Sequence, residues 1–525
     1  MAWGKSIFIC GMAFALASLA PAKAAEQGIR PITIDVTHAT VPRSTYESFS
    51  IGSDYPGTLM RPDSLAQLKT ARDELGFRYI RFHGIFHDAL GTYKEVDGKP
   101  VYDWSKIDFL YDRLLAMGIR PFVELGFTPE AMKTSNQRIF YWKGNTSHPD
   151  MAKWTALVGQ FVRHLRHRYG KNEVRRWYFE VWNEPNLADF WEKADQPAYF
   201  ALYDATAKAI KRIDPKLKVG GPSTAGAAWV PEFIAHATAN EVPLDFITTH
   251  TYGVMGGFLD EQGKDDTKLS PSDDAISGDV LRVRQQIQAS ARPSLPLYFT
   301  EWSSSYTPRD PVHDSYVSAA YILDKLKAVD GAVQGMSYWT YSDLFEEPGP
   351  PTAPFEGGFG LMNPQGVRKP AYFAYKYLHK LDRNALKTND AESLVTWDGD
   401  TLKALVWSFQ LPEQDRSNRP FYTRVLPASP APAIRFDLKG LPPGDYRIAI
   451  HRTGFEANDA YTAYLRMGSP TTLNADQLRL LQELTEDRPE IRSLHIDRSG
   501  TANVPLAMRQ NDIVLIEIEP RTGKQ

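Results

Sequence analysis

Short apolar runs that end in polar residues alternate with amphipathic stretches from about residue 48 to residue 345. The runs are rich in aromatic and β-branched residues, which is typical of buried strands. Eight of them occur in this part of the chain. The strand candidates are SFSIGSD from Ser48, YIRFHG from Tyr79, IRPFVELGF from Ile119, YFEVWNEP from Tyr178, LKVGGPST from Leu217, FITTHTYG from Phe246, LYFTEWSS from Leu297 and GMSYWTYSD from Gly335.

Helical periodicity fills the intervals between these strands. In the stretch DWSKIDFLYDRLLAMG, apolar side chains recur from Ile107 to Met117 with a period close to that of an α-helix. Either Asp103 or Ser105 is suited to cap this helix, and Gly118 ends it.

Strand–helix units of this kind, over about 300 residues, predict an α/β protein with a (β/α)8 (TIM) barrel. We assign the barrel to residues 48–384. A doubly wound open sheet is the alternative, but its glycine-rich dinucleotide loop is missing, because SIGSDYPG after the first strand does not match it.

After KPAYFAYKYLHKL the pattern changes to short alternating runs with turn signals. This change predicts a C-terminal accessory β-sandwich domain over residues 385–525. SLVTWDGDTLKALVWSF is expected to form a hairpin around Asp398-Gly399, IRFDLKGLPPGDYRIAIH a second hairpin, and DIVLIEIE the last strand. The segment 25–47, which contains PITIDV, lies outside the barrel and is expected to add a strand to this domain.

Residues 1–24 have the pattern of a secretory signal peptide. Lys5 precedes an apolar run, and Ala22 and Ala24 occupy the small-residue positions of a cleavage site. We expect cleavage after Ala24 and export to the periplasm or the medium. A membrane anchor is the alternative, but it would need about 20 apolar residues, and no later stretch is long and apolar enough to span a bilayer.

Removal of this segment leaves a mildly acidic chain without cysteine. The formal net charge changes from −3 to −5, because residues 1–24 hold Lys5 and Lys23 and no acidic residue. Nucleic-acid binding normally requires a strongly basic face, so we expect no nucleic-acid partner. Cys10 is the only cysteine, so the mature protein is expected to have no disulfide and no cysteine nucleophile.

Two glutamates stand where the fourth and seventh strands are predicted to end. Because the active site of such a barrel lies at the C-terminal ends of its strands, Glu184 and Glu301 are expected to face each other across the barrel mouth. Paired carboxylates among aromatic residues suit glycoside cleavage, in which one acid protonates the departing oxygen while the other attacks or stabilises the oxocarbenium-like centre. Other residues at strand ends are Arg81, His83, Asn183, His250, Tyr252, Trp302, Trp339 and Asp343.

Glu180 is not expected to belong to this pair. It lies four residues before Glu184, deeper in the same strand. We therefore predict that Glu180 pairs with an interior residue such as Arg81 and takes no part in the chemistry.

Six segments together resemble glycoside hydrolase family 39, within the clan of (β/α)8 retaining glycosidases, and are most similar to its bacterial β-xylosidases. The resemblance runs from about Ser48 to Leu381, and EANDAYTAYLRMGSP continues it into the β domain. The Asn-Glu-Pro signature alone is shared across the clan, whereas the six segments together are highly specific. They are VWNEPN, RFHGIFHD, THTYG, TEWSSSYTPRDPVHDSYVSAAYI, YWTYSDLFEE and GGFGLMNPQGVRKPAYFAY.

The resemblance implies a role for each matching residue. Glu184 would be the general acid/base and Glu301 the nucleophile, with Arg81 and Tyr252 favouring the ionised nucleophile. Trp182 and the bound sugar should keep Glu184 protonated, and retention requires the carboxyl groups to lie about 5–5.5 Å apart. The implied substrate-binding residues are His83, Asn183 at the sugar 2-hydroxyl, His250, Tyr252, Trp339, Glu346 and Glu347 at other hydroxyls, and Phe127 as an aromatic wall.

The predicted function is that of a retaining exo-glycosidase that hydrolyses β-1,4-xylo-oligosaccharides to xylose. An α-L-iduronidase is an alternative, but it would need basic residues for the uronate carboxylate, and SDLFEE places two acids there instead. Arabinosidase activity stays open. A carbohydrate-binding protein that has lost catalysis is a third possibility, which the presence of both glutamates disfavours.

No cofactor and no metal are expected. His83 and His87 have the spacing of a helical metal site, but they leave a strand into a loop and no third ligand pattern accompanies them. The sequence leaves the oligomeric state open.

Overall fold

The protein is described by a computed structural model over residues 28–521. The predicted signal peptide, residues 1–24, and Cys10 lie outside the described residues. Within residues 28–521, no helix is both long and apolar enough to cross a membrane.

The elements follow one another in the order that the sequence pattern indicates, with additional short hairpins in the loops. The strands are β1 (Arg30–Asp35), β2 (Val41–Pro42), β3 (Ser50–Ser53), β4 (Tyr79–Phe82), β5 (Tyr93–Val96), β6 (Lys99–Tyr102), β7 (Arg120–Leu125), β8 (Arg138–Ile139), β9 (Gly144–Asn145), β10 (Tyr178–Val181), β11 (Lys218–Thr224), β12 (Phe246–Tyr252), β13 (Val254–Leu259), β14 (Asp265–Leu269), β15 (Leu297–Ser303), β16 (Gly335–Tyr338), β17 (Asn384–Leu386), β18 (Ser393–Trp397), β19 (Leu402–Trp407), β20 (Pro430–Lys439), β21 (Gly444–Thr453), β22 (Glu490–Ile496), β23 (Thr501–Arg509) and β24 (Ile513–Pro520). The helices are α1 (Pro56–Leu59), α2 (Pro62–Leu75), α3 (Ser105–Ala116), α4 (Met151–Tyr169), α5 (Lys171–Val174), α6 (Gln196–Ile213), α7 (Val230–Ala239), α8 (Ser277–Gln288), α9 (Val317–Ala328), α10 (Pro370–Lys380), α11 (Asn418–Tyr422), α12 (Ala460–Arg466) and α13 (Ala475–Glu483).

Eight parallel strands close into a barrel in the order β3, β4, β7, β10, β11, β12, β15 and β16. These are the eight strands that the sequence predicts, so the barrel is confirmed. Helix α3 lies where it is predicted, and Gly118 adopts a positive φ of 75° just past the helix end. The predicted cap is wrong, because the N-cap residue is Trp104, which makes no side-chain capping bond; Asp103 Oδ1, one residue earlier, accepts from the Ser105 backbone N–H at 2.9 Å.

The barrel interior consists of an aromatic layer below a polar one. Phe122, Tyr178, Phe246 and Tyr298 form one buried cluster near the strand starts. Because side chains on the same face of a strand recur every two residues, the next inward positions are Glu124, Glu180, Thr248 and Thr300, all buried. The aromatic layer closes the bottom of the barrel, and the polar layer carries the site above it.

The C-terminal part is a β-sandwich, as the sequence predicts. One sheet has the order β2, β17, β18, β19, β24, β21, β22, and the other has the order β1, β20, β23. Ile32 and Phe436 of the smaller sheet share one buried core with Val395 and Ile516 of the larger. Strand β1 pairs in parallel with β20, so the N-terminal segment lies in this sandwich.

One predicted hairpin of this region is confirmed and one is wrong. Strands β18 and β19 pair in antiparallel fashion around Asp398-Gly399. Strands β20 and β21 do not pair, because β20 lies in the three-stranded sheet and β21 in the seven-stranded sheet. Residues 440–443 therefore cross between the two sheets, so that both strands bury an apolar face in the shared core.

A buried ion cluster fixes the loop that follows β16. Lys369 Nζ lies 2.7 Å from Asp314 Oδ1 and 2.8 Å from Asp343 Oδ2, and it also donates to the Gly358 carbonyl at 2.8 Å. Asp343 in turn accepts from the Gly360 backbone N–H at 2.6 Å. One lysine thus ties both ends of the segment 343–360 to the start of α10.

We expect Lys369→Met to destabilise the protein by about 3–5 kcal/mol, because it leaves two buried carboxylates without a cation. Thermal and denaturant unfolding at pH 7 would measure this loss. Lys69→Met is the matched control: Lys69 forms an ion pair with Asp73, but its side chain is 63% exposed, and exposed pairs contribute about 0–1 kcal/mol. Equal stability of the two variants would contradict the assigned role of Lys369.

Candidate active site

Two glutamates from opposite sides of the barrel meet at its C-terminal mouth. Glu184 follows β10 and is 8% exposed, and Glu301 lies in β15 and is 4% exposed. One carboxylate oxygen of Glu184 lies within 4.8 Å of one oxygen of Glu301. This distance fits retaining glycosidases, whose carboxyl groups are about 5–5.5 Å apart, and is shorter than the roughly 6.5–9.5 Å of inverting enzymes.

The backbone around Glu184 is held in a sparsely populated conformation. Trp182 and Glu184 have positive φ angles of 72° and 45°, which cost of order 1–3 kcal/mol each for such residues. The Glu184 backbone N–H donates to the Ser223 carbonyl at 2.8 Å, and the Trp182 indole N–H donates to the Phe190 carbonyl at 2.7 Å. These bonds hold the chain in the turn, which continues through Pro185.

Arg81 lies at the centre of the polar layer and is fully buried. Its Nε donates to Glu180 Oε2 at 2.5 Å, its Nη1 to Glu301 Oε1 at 2.6 Å and its Nη2 to Asn183 Oδ1 at 2.8 Å. The predicted pairing of Glu180 with Arg81 is therefore confirmed. The same guanidinium holds Glu301 and Asn183, so their relative positions depend on one side chain.

The two glutamates have different neighbours. Glu301 receives hydrogen bonds on both oxygens, from Arg81 and, at 2.8 Å, from the Tyr252 hydroxyl. Glu184 Oε1 lies 2.9 Å from His250 Nδ1. Burial, and secondarily the charge of Glu301, raise the pKa of Glu184 well above its usual value. Burial, followed by the charges of Arg81 and His83, lowers the pKa of His250 well below its usual value, so the imidazole beside Glu184 is neutral.

A second buried carboxyl faces the pocket from the loop after β16. Glu347 Oε1 lies 3.4 Å from His83 Nε2 and makes no hydrogen bond within the described part of the chain. Burial and then the charge of Asp54 raise the pKa of Glu347 well above its usual value. The other nitrogen of His83 is fixed, because Nδ1 lies 2.7 Å from Glu124 Oε2. His83 Nε2 and Glu347 thus present a polar pair to a ligand.

A pocket of about 620 Å³ opens above these residues. The amide Nδ2 of Asn183 is buried and has no hydrogen-bond partner among residues 28–521, so it is free to donate to a ligand. The Trp339 ring lies 4.8 Å from the His83 ring and supplies an apolar face. Of the residues singled out from the sequence, His83, Asn183, Glu184, Tyr252, Glu301, Trp339 and Glu347 line the pocket.

Four of the residues that the resemblance predicts to bind the substrate or support the site do not line the pocket. Arg81 and His250 are fully buried beneath the two glutamates, so they position other groups. Phe127 is 1% exposed and stacks behind His83 at 6.0 Å. Glu346 turns away from the pocket, because its Oε1 lies 3.2 Å from Arg61 Nη1 at the surface.

Several pocket residues were missed by sequence reasoning. The aromatic wall is formed by Phe140 and Phe190, whose rings meet edge to face at 5.4 Å, and Tyr306 also lines the pocket. Asp54 and Glu124 are buried carboxyls that support the pocket. Glu124 could have been identified from the sequence, because it interrupts the apolar run of β7. Nothing in the sequence indicates which loop aromatic side chains point into the pocket.

The closed eight-stranded barrel and its two facing glutamates define a glycoside hydrolase. The chain belongs to glycosyl hydrolases family 39, whose family model matches residues 31–501.

Solved structures and sequence relatives agree with this assignment. A monomeric β-xylosidase from Caulobacter crescentus CB15 is 64% identical, with a TM-score of 0.92, and the match covers 94% of this chain and 100% of that one. The GH39 enzyme from Xanthomonas axonopodis pv. citri is 60% identical, with a TM-score of 0.93 over 96% of this chain and 100% of that one. A β-xylosidase from Geobacillus stearothermophilus is 35% identical over 90% of this chain and 92% of its own length.

The raised pKa of Glu184 predicts that the free energy of unfolding depends on pH through this residue. The folded protein keeps this proton at pH values where the unfolded chain has lost it, so stability falls as pH rises from the unfolded pKa towards the raised folded pKa. Glu184→Gln removes that loss. We expect the difference in unfolding free energy between Glu184→Gln and wild type to grow by up to about 1.4 kcal/mol per pH unit in that range.

Denaturant unfolding of both proteins between pH 5 and pH 8 would measure this trend. Glu483→Gln is the matched control, because the Glu483 side chain is 53% exposed. A Glu184→Gln difference that stays constant with pH would show that Glu184 does not hold a buried proton.

Proposed function

We propose that the protein is a retaining exo-acting β-xylosidase that releases xylose from the non-reducing end of β-1,4-xylo-oligosaccharides. The observation that carries the proposal is the buried pair Glu184 and Glu301, with oxygens within 4.8 Å of each other and different hydrogen-bond partners. The similarity to proteins named β-xylosidases supports xylose as the sugar that is released.

The partners of each glutamate support one division of roles. Glu301, held by Arg81 and Tyr252, attacks the anomeric carbon while Glu184 donates its proton to the glycosidic oxygen, and the leaving alcohol departs. Glu184, now a carboxylate, takes a proton from water, and the water oxygen displaces Glu301 from the anomeric carbon. Two inversions retain the β configuration.

The pocket favours a neutral sugar over a uronate. Its lining contains Glu347 beside His83 and no lysine or arginine among the described residues. An α-L-iduronidase would need a cation for the substrate carboxylate, so that alternative is disfavoured. Arabinoside hydrolysis by the same carboxyl pair remains the second candidate, which the same assay tests.

Hydrolysis of p-nitrophenyl β-D-xyloside by wild type, Glu184→Ala and Glu301→Ala tests the proposal. We expect Glu301→Ala to lose activity, and azide to restore part of it as α-xylosyl azide. We expect Glu184→Ala to lose about 10²–10⁴-fold with poor leaving groups and to form β-xylosyl azide. Wild-type cleavage of other aryl glycosides, such as an α-L-arabinoside, with none of the xyloside would overturn xylose as the substrate.

We also propose that residues 1–24 direct export and are removed. The support is the positive charge, apolar run and small-residue cleavage positions of this segment. Expression in a Gram-negative host should give a periplasmic protein that begins at Ala25, as measured by intact mass and N-terminal sequencing. Leu16→Arg, which places a charge in the apolar run, should keep the chain uncleaved in the cytoplasm; cleaved, exported Leu16→Arg would contradict the proposal.

A further inference from the structure

The pocket has a polar inner part and an apolar outer part. The inner part holds both catalytic glutamates, Asn183, His83 and Glu347. The outer wall is formed mainly by Phe140, Leu187, Phe190, Ala225, Val254 and Tyr306. At about 620 Å³ the pocket is as large as those that enclose drug-sized ligands, so it has room for more than one sugar ring.

The outer wall lies on the side from which the leaving group departs. Leu187 and Phe190 come from the same turn as the acid/base: the Leu187 backbone N–H donates to the Glu184 carbonyl at 3.0 Å, and the Phe190 N–H to the Leu187 carbonyl at 3.1 Å. Since Glu184 protonates the glycosidic oxygen, the group attached to that oxygen departs past this turn. The aglycone therefore contacts Leu187 and Phe190 first.

This wall leaves apolar surface in water when the pocket is empty. Of the residues in this wall, Leu187 is 38% exposed and Tyr306 is 51% exposed. The Phe140 ring stacks on His83 at 5.9 Å and meets Phe190 at 5.4 Å, so one aromatic surface runs from the inner part to the acid/base turn. An apolar aglycone would cover this surface, which is favourable in proportion to the apolar area buried.

The same wall offers few partners for sugar hydroxyls. Outside the inner part, Asp279 is the one carboxylate among the described residues that line the pocket. Both of its oxygens are engaged, by the Thr251 hydroxyl at 2.7 Å and by Arg282 Nη2 at 2.5 Å. The Ala225 backbone is also occupied, because its N–H donates to Asn186 Oδ1 at 2.9 Å and its carbonyl accepts from Asn186 Nδ2 at 3.0 Å. Besides these groups, the Tyr306 phenol is the polar side chain of the outer wall. A second xylose would thus place most of its hydroxyls against apolar side chains.

We propose that the leaving-group side of this pocket selects apolar, aromatic aglycones, so that aryl and arylalkyl β-xylosides are better substrates than xylobiose. This inference rests on the proposed β-xylosidase function and names the class of substrate within it.

Benzyl β-D-xyloside and xylobiose test the inference, because both have unactivated alcohols as leaving groups. We expect wild type to have the higher kcat/KM with the benzyl compound. Leu187→Asn should lower the benzyl-to-xylobiose ratio of kcat/KM by about tenfold, the factor that corresponds to loss of one apolar side-chain contact. Leu484→Asn is the matched control, because Leu484 is 41% exposed, lies outside the pocket and should leave the ratio unchanged.

A second measurement uses wild type alone. The xylosyl-enzyme formed from p-nitrophenyl β-D-xyloside is offered benzyl alcohol and D-xylose at equal concentration. The acceptor oxygen bonds to the anomeric carbon as the ester bond to Glu301 breaks, and the acceptor proton passes to Glu184. We expect benzyl xyloside to exceed xylobiose among the transfer products.

Preference for xylobiose as substrate and for xylose as acceptor would overturn the inference and leave the β-xylosidase proposal intact. A Leu187→Asn ratio equal to that of Leu484→Asn would also overturn it. Failure of wild type to cleave p-nitrophenyl β-D-xyloside would overturn the β-xylosidase proposal, and this inference with it.

Discussion

The arrangement of the active site depends on the buried guanidinium of Arg81. It binds Glu180 below, and Glu301 and Asn183 above. A fully buried cation is stable only when its donors are satisfied, and loss of one partner of such a group is strongly destabilising. Because the stability of the barrel interior and the placement of Glu301 depend on the same side chain, Glu301 cannot move independently of the core.

The two facing glutamates differ in their contact with this cation. Carboxyls this close cannot all be ionised. Glu301 contacts the guanidinium directly, whereas Glu184 faces a neutral imidazole at His250. Burial raises the pKa of Glu184 and that of Glu347, and the charge of a neighbouring acid raises each further: Glu301 for Glu184 and Asp54 for Glu347. Glu301 and Glu184 have the same side chain and differ in their contacts. The buried carboxyls around this site are Asp54, Glu124, Glu180, Glu184, Glu301 and Glu347.

Periodicity and strand-end chemistry sufficed to predict the barrel, the sandwich and the facing glutamates, because these follow from local patterns. Contacts between residues that are far apart in the sequence could not be predicted from these local patterns. The chain between β20 and β21 looked like a hairpin turn, but a shared core separates the two strands into different sheets. Phe127 was predicted to form the aromatic wall, but Phe140 and Phe190 form it instead. The sequence did not show this, because the direction of a loop side chain depends on its three-dimensional neighbours.

The turn that carries Glu184 has several features that do not favour the stability of the folded protein. Positive φ angles at Trp182 and Glu184 cost free energy in the folded state. Burial of the Glu184 carboxyl raises its pKa, and Leu187 leaves apolar surface in water, so it contributes little burial free energy. The three features lie within six residues of one turn. A rigid frame is needed to hold them, and the barrel supplies it through the aromatic layer below and the Lys369 ion cluster beside the pocket loop. The turn that carries Glu184 thus combines backbone strain with a buried carboxyl, and the packed elements beside it hold this turn in place.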